Sequence, residues 1–162
     1  MSYVIFETNL GWMGAVGSRM GLCRIILPQP TPDMVIDIIR ARPEGASPNS
    51  SIFGDLPDRM RRYFEGEPVS FPDRLDTAQA SPFRISAWQV VCSIPYGETR
   101  SYSWVAEQIG RPRATRAVGR ALARNPLPIV VPCHRVVGKR GLGGFLGGLG
   151  LKRALLDIEA KK

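Results

Sequence analysis

Short apolar runs broken by glycine open the chain. Residues 3–6, 12–16 and 22–27 are β-rich runs separated by glycine-containing turns, so three strands are predicted. The period then lengthens. Met34, Val35, Ile38 and Ile39 follow helical spacing, and Leu56, Met60, Tyr63 and Phe64 mark one face of a second helix. Between them, residues 43–51 carry Pro, Gly, Ser and Asn and read as a loop, and residues 73–80 read as a linker. Ser81-Pro82 is a helix start, serine capping and proline in the first turn, for a helix carrying Phe83, Ala87, Trp88, Val91 and Cys92 inward. A helix-turn-helix pattern follows, with helices over 102–109 and 113–124 around Gly110-Arg111-Pro112. The apolar run 127–132 reads as a buried strand, and a last helix spans 151–160.

The second helix of that pair has three faces. At about 100° per residue, Ala114, Ala117, Val118, Ala121 and Leu122 form an inward stripe. Arg113, Arg116, Arg120 and Arg124 cluster elsewhere, beside a low ridge of Thr115, Gly119 and Ala123. Such a ridge lets a helix backbone press into a nucleic-acid groove while arginines hold phosphates. An ordinary amphipathic helix would explain the arginines but not a mid-helix glycine, which costs roughly 1 kcal/mol.

Charge supports that assignment. The net +8 divides into −2 over residues 1–80 and +10 over 81–162, a basic excess confined to one half and suited to a polyanion. No run approaches the roughly 20 apolar residues of a membrane span, and the N-terminus lacks a signal-peptide pattern, so a cytoplasmic (nucleoid-associated) or nuclear location is expected. Cys23, Cys92 and Cys133 are odd in number and far apart, against a disulfide framework, and none shows Cys-x-x-Cys metal spacing. Cys92, on its apolar stripe, is expected in the core.

Cys133 adjoins the only histidine, His134. A buried thiol stays protonated and inert unless a neighbouring base takes its proton. The glycine-rich stretch 141–150 fits no phosphate-binding register, and its Phe145-Leu146 centre suits a pocket wall instead.

Taken together, Ile94-Pro95-Tyr96-Gly97, Ser101-Tyr102, Arg116-Ala117-Val118-Gly119, Asn125-Pro126-Leu127-Pro128-Ile129, Pro132-Cys133-His134-Arg135-Val136 and a Gly147-Gly148-Leu149…Leu155-Leu156-x-x-Glu159 tail resemble the O6-alkylguanine-DNA alkyltransferases over about 81–159. The resemblance implies an α+β fold: a small sheet-plus-helix scaffold over 1–78, then a mainly helical domain over 79–162 bearing the helix-turn-helix and the cysteine loop. It implies single-turnover direct-reversal repair of double-stranded DNA by a monomer without cofactor, on O6-alkylguanine and also O4-alkylthymine. Cys133 would accept the alkyl group, His134 would draw the thiol proton through a water, Glu159 would keep the imidazole basic and Asn125 would brace the turn. Arg116 would replace the flipped nucleotide in the stack, and Tyr102 would push the lesion's phosphate and assist protonation of the base. The helix carrying Arg113, Thr115, Arg116, Gly119, Arg120, Ala123 and Arg124 would enter the minor groove, and Tyr102, Val136, Phe145 and Leu146 would line the base pocket. Family members often carry tyrosine and a small or hydroxyl residue where Phe145 and Leu146 stand. A non-repairing lesion-binding relative and a plain helix-turn-helix regulator are the other readings. Methylation of Cys133 by damaged DNA separates them.

Overall fold

A computed structural model describes residues 1–43 and 45–161. The chain divides into two compact units, Met1–Thr77 and the remainder from Ala78.

In the first unit, β1 (Ser2–Thr8), β2 (Gly11–Ser18) and β3 (Gly21–Gln29) form an antiparallel meander, each turn made at a glycine. Helix α1 (Pro32–Arg40) starts where the Thr31 hydroxyl accepts the Met34 N–H at 3.3 Å, with proline in its first turn. It buries Val35 and Ile39 against Val16 and Ile26 of the sheet. Helix α2 (Leu56–Phe64) buries all four residues of its expected face. Two readings of connecting segments need correction. Within 43–51, β4 (Ser47–Pro48) pairs parallel to β1, and a 3-10 turn over Ser50–Phe53 follows, so this stretch is partly ordered on the sheet; Glu44 lies outside the described residues. The expected linker is also tied down in its first part. Leu22 N–H donates to Arg74 O (2.8 Å), Asp76 N–H donates to Leu22 O (2.7 Å), and Arg59 grips Asp73 through two bonds. Residues 74–76 thus satisfy backbone groups along β3, a sheet edge that would otherwise be open.

The second unit begins with α3 (Pro82–Cys92), capped by Ser81 and burying Ala87, Trp88 and Val91. Cys92 is exposed, not in the core: at about 100° per residue it stands about 90° round the helix from the centre of the stripe that Ala87, Trp88 and Val91 bury. β5 (Arg100–Ser101) leads into α4 (Tyr102–Ile109), capped by Ser101 and ended by Gly110, whose φ of 83° few other residues adopt. Helix α5 is Thr115–Ala123, shorter than the expected 113–124, because the turn from α4 continues through Ala114 and the last turn closes before Arg124. Val118, Ala121 and Leu122 are buried while the four arginines face outward, as the three-faced pattern requires.

The apolar run 127–132 is buried, but it is not a strand. It forms a tight turn with a single bridge between Pro128 and Val131, and Ile129 sits in the left-handed region at φ 75°. Prolines at 126, 128 and 132 deny it a ladder, and Asn125 supplies the bonds that a ladder would have made. The chain then turns through a 3-10 segment, Cys133–Arg135, into β6 (Val136–Val137), and α6 (Leu149–Ala160) ends the unit. No helix among the described residues is long and apolar enough to cross a membrane.

Candidate active site

Two residues of parallel pairing assemble the site. β5 lies beside β6 with Arg100 opposite Val136 and Ser101 opposite Val137, which sets the start of α4 next to the segment following Cys133. Between them opens a cavity of about 400 Å³, lined by Tyr102, Thr115, Arg116, Gly119, Ala123, Cys133, Val137 and Phe145 among others. Cys133 and Tyr102 face the same cavity as the small-residue ridge of α5. At Gly119 an added Cβ would meet nothing within 4 Å, so the ridge is open.

Cys133 is buried, and burial pushes its thiol upward. Three features oppose that shift. Asn125 Nδ2 donates to Sγ at 3.2 Å, the Lys152 ammonium adds positive charge, and nearby backbone N–H groups favour the thiolate. Asn125 itself is held by accepting the Leu127 N–H (2.9 Å) and donating to Val131 O (3.0 Å), so one buried amide ties the turn to the sulfur.

His134 is fully buried, and its Nε2 bonds Glu159 Oε2 across 25 residues of sequence. Burial holds the imidazole below its ordinary range, while the carboxylate pulls it back up. Glu159 Oε1 accepts from Arg135 Nε at 2.7 Å and from the Gly97 N–H at 3.1 Å. Arg135 Nη1 also donates to Ile94 O at 2.8 Å, and its guanidinium lies over the Tyr96 ring. A buried carboxylate is thereby shared between an imidazole and a guanidinium, which offsets its desolvation. The Tyr102 phenol, also raised by burial, stays protonated and able to donate.

Phe145 lines the cavity, but Val136 and Leu146 do not. Val136 is fully buried, and its neighbour Val137 faces the cavity instead, since alternate residues of a strand point opposite ways. Leu146 is 61% exposed, outside the lining, because the loop turns away after Phe145. Arg113, Arg120 and Arg124 are exposed but do not line the cavity; Arg116 does both.

Sequence reasoning missed Lys152 and Arg135. Lys152 has no exposed surface, and its Nζ donates to the carbonyls of Val136 (2.6 Å), Gly144 (3.0 Å) and Leu142. A signal was present: Lys152, Leu155 and Glu159 are spaced i, i+3, i+7, which places both charges on the buried stripe of α6.

Comparison with known proteins places the chain in a family. Residues 82–161 match the DNA-binding domain of 6-O-methylguanine DNA methyltransferase. A methylated-DNA–protein-cysteine methyltransferase of Methanosarcina acetivorans is 38% identical over 160 residues, 98% of either chain. The chain belongs to that family. A Mycobacterium bovis member is 45% identical over 117 residues, 72% of this chain and 70% of its own. The crystal structure of Mycobacterium tuberculosis OGT in complex with DNA superposes with a TM-score of 0.82 at 36% identity, covering 99% of this chain and 93% of the other. The methyltransferase family thus shares the α+β architecture along nearly the whole length.

Proposed function

We propose that this protein repairs alkylated DNA by moving the alkyl group of O6-alkylguanine onto Cys133, with O4-alkylthymine as a further substrate. The observation that carries the reading is a single buried thiol, braced by Asn125, at an apolar cavity opening onto the small-sided, arginine-flanked face of α5. An alkyl carbon on guanine O6 is poorly reactive, so attack needs a thiolate. The base must leave the stack to reach that sulfur, at a cost of a few kcal/mol.

In this reading α5 enters the minor groove through Thr115, Gly119 and Ala123, and Arg113, Arg120 and Arg124 hold phosphates. Arg116, at the cavity mouth, fills the place of the flipped nucleotide. His134, kept basic by Glu159, takes the thiol proton through a water. Sγ attacks the alkyl carbon in line and the carbon–O6 bond breaks. Its electron pair stays on the base, which gains a proton with help from Tyr102. The thioether is stable, so each molecule acts once, as a monomer and without a cofactor. Phe145 offers the base an apolar wall without a hydroxyl. Residues 1–78 serve as scaffold and 79–162 carry DNA binding and chemistry.

Incubation with duplex DNA containing O6-methylguanine, followed by intact mass and peptide mapping, tests this. One methyl group on Cys133 per protein supports it. Retained lesion binding without mass gain would make the protein a non-repairing lesion binder, and methyl on Cys23 or Cys92 would displace Cys133.

A further inference from the structure

Besides α5 and Tyr102, two tight turns border the cavity. In the first, the Gly138 N–H donates to Gly141 O at 3.0 Å and leaves Lys139 and Arg140 exposed at the tip, with Lys139 on the cavity lining. In the second, the Gly148 N–H donates to Phe145 O at 3.0 Å and puts Leu146 and Gly147 at the tip, directly after the Phe145 that lines the cavity. One tip is basic and the other apolar. Leu146 is 61% exposed, and Leu149, which opens α6, is 54% exposed. A single surface leucine needs no explanation, but the setting of this one supplies a partner. Turn tips favour Gly, Pro, Asn, Asp and Ser, so the turn itself has no use for a leucine. Residues 108–156, which build α5, the cysteine turn and both tips, hold ten Lys and Arg and no Asp or Glu. Such a surface draws a polyanion. Leucine cannot bond a phosphate, and what a polynucleotide offers an apolar side chain is deoxyribose and base.

We propose that Leu146 is a DNA-contacting residue, which packs on the deoxyribose and base edge of the nucleotide next to the extruded lesion while Lys139 and Arg140 hold phosphates beside it. The inference rests on the repair reading, in which the lesion leaves the stack and enters the cavity. Its neighbour in the strand, covalently joined to it, is then held at the cavity mouth. The side chain that follows Phe145 is in place to meet that neighbour. The contact uses no charge, and its gain comes from covering apolar surface on both partners. Its affinity test uses protein that cannot transfer an alkyl group, so it fails separately from the repair reading, which the methylation of Cys133 decides.

Affinity for duplex DNA carrying O6-methylguanine is measured at two salt concentrations in the full chain with Cys133→Ala, beside a melting curve. Adding Leu146→Ser should weaken binding on the order of tenfold, the worth of covering most of a leucine side chain. The factor should be the same at both salt concentrations, because an apolar contact releases no counterions. Lys139→Gln with Arg140→Gln should instead lower the salt slope by about 2, one for each phosphate released. Leu146→Lys gives a second variant should the serine protein not fold. It should bind more weakly than Cys133→Ala alone although it adds a positive charge. With Cys133 intact, Leu146→Ser should lower the ratio of the rate on lesion duplex to the rate on free O6-methylguanine on the order of tenfold, since the free base has no neighbouring nucleotide. Unchanged affinity in folded Leu146→Ser, a loss that vanishes at high salt, or tighter binding by Leu146→Lys overturns the proposal. Equal rate losses on duplex and free base overturn it as well, by making Leu146 part of the base pocket.

Discussion

Removing the Asn125 carboxamide should both loosen the cysteine turn and weaken the nucleophile, and the structure sets the size of each effect. In Asn125→Ala the Leu127 N–H loses its 2.9 Å acceptor and Val131 O its 3.0 Å donor, and both residues are fully buried. An orphaned buried polar group costs about 1–3 kcal/mol, so two of them cost about 2–6 kcal/mol, with about 3–4 kcal/mol expected. Urea unfolding followed by circular dichroism should show that loss as a lower midpoint at an unchanged slope. Asn125→Asp separates stability from chemistry. Its carboxylate still accepts from Leu127, but it presents an anion to Val131 O and to Sγ in place of a donor. A like charge disfavours the thiolate, so the profile of Cys133 alkylation by iodoacetamide should move to higher pH in Asn125→Asp than in Asn125→Ala. A loss below about 1 kcal/mol in Asn125→Ala would show that the turn does not depend on this amide. An Asp variant with the parent's thiol profile would refute the claim that Asn125 supports the thiolate.

Cys133→Ala should abolish alkyl transfer while leaving duplex affinity within about threefold, checked by intact mass and by titration with DNA, because the thiol makes little of the groove surface. His134→Ala and Glu159→Gln should slow transfer at neutral pH and recover as pH rises, since hydroxide then supplies the thiolate; a deficit independent of pH would make both residues structural. Gly119→Leu should fold at least as well as the parent, because a Cβ there meets nothing within 4 Å and leucine favours helix by roughly 1 kcal/mol, yet should lose duplex affinity. Binding at two salt concentrations beside a melting curve decides it, and parental affinity would remove this face from the groove. Stability should fall as pH drops through and below about 6.5, because the folded state holds His134 neutral and the unfolded chain binds the extra proton there; between pH 8 and about 10 Lys152, lowered to about 8, contributes a rise because it releases its proton only when folded, a contribution that the raised thiols of Cys133 and Cys92 oppose and that is read as the difference between the parent and Lys152→Met. Urea midpoints across that range test both signs. His134→Gln should flatten the acid limb, and Lys152→Met should take the lysine's rise out of the alkaline one.

The sequence by itself determined the elements and their faces. Alternating and helical periods mark the meander and the helices, and Ser101 and Gly110 bound α4 because caps and left-handed turns are local chemistry. The three-sided pattern of α5 and the charge imbalance pointed to nucleic acid, and the Cys133–His134 adjacency to a nucleophile. What lay beyond reach depended on contacts between distant residues. The glycine-rich stretch is legible as a wall, but nothing local says that Lys152 gathers its carbonyls, or that Arg135 shares Glu159 with His134. The run 127–132 has a strand's composition, yet it joins no sheet among the described residues, and Asn125 closes it as a turn with Ile129 at positive φ. Cys92 sits at the margin of the apolar stripe of α3, and only the packing of Ala87, Trp88 and Val91 decides that it falls on the exposed side. Val136 and Val137 are indistinguishable in sequence; only the pairing of β5 with β6 decides which faces the cavity, since shifting a strand by one residue exchanges its two faces. Propensity acts within a few residues along the chain, whereas the site joins positions 102, 125, 133, 152 and 159 by packing, and packing is what the tertiary structure alone supplies.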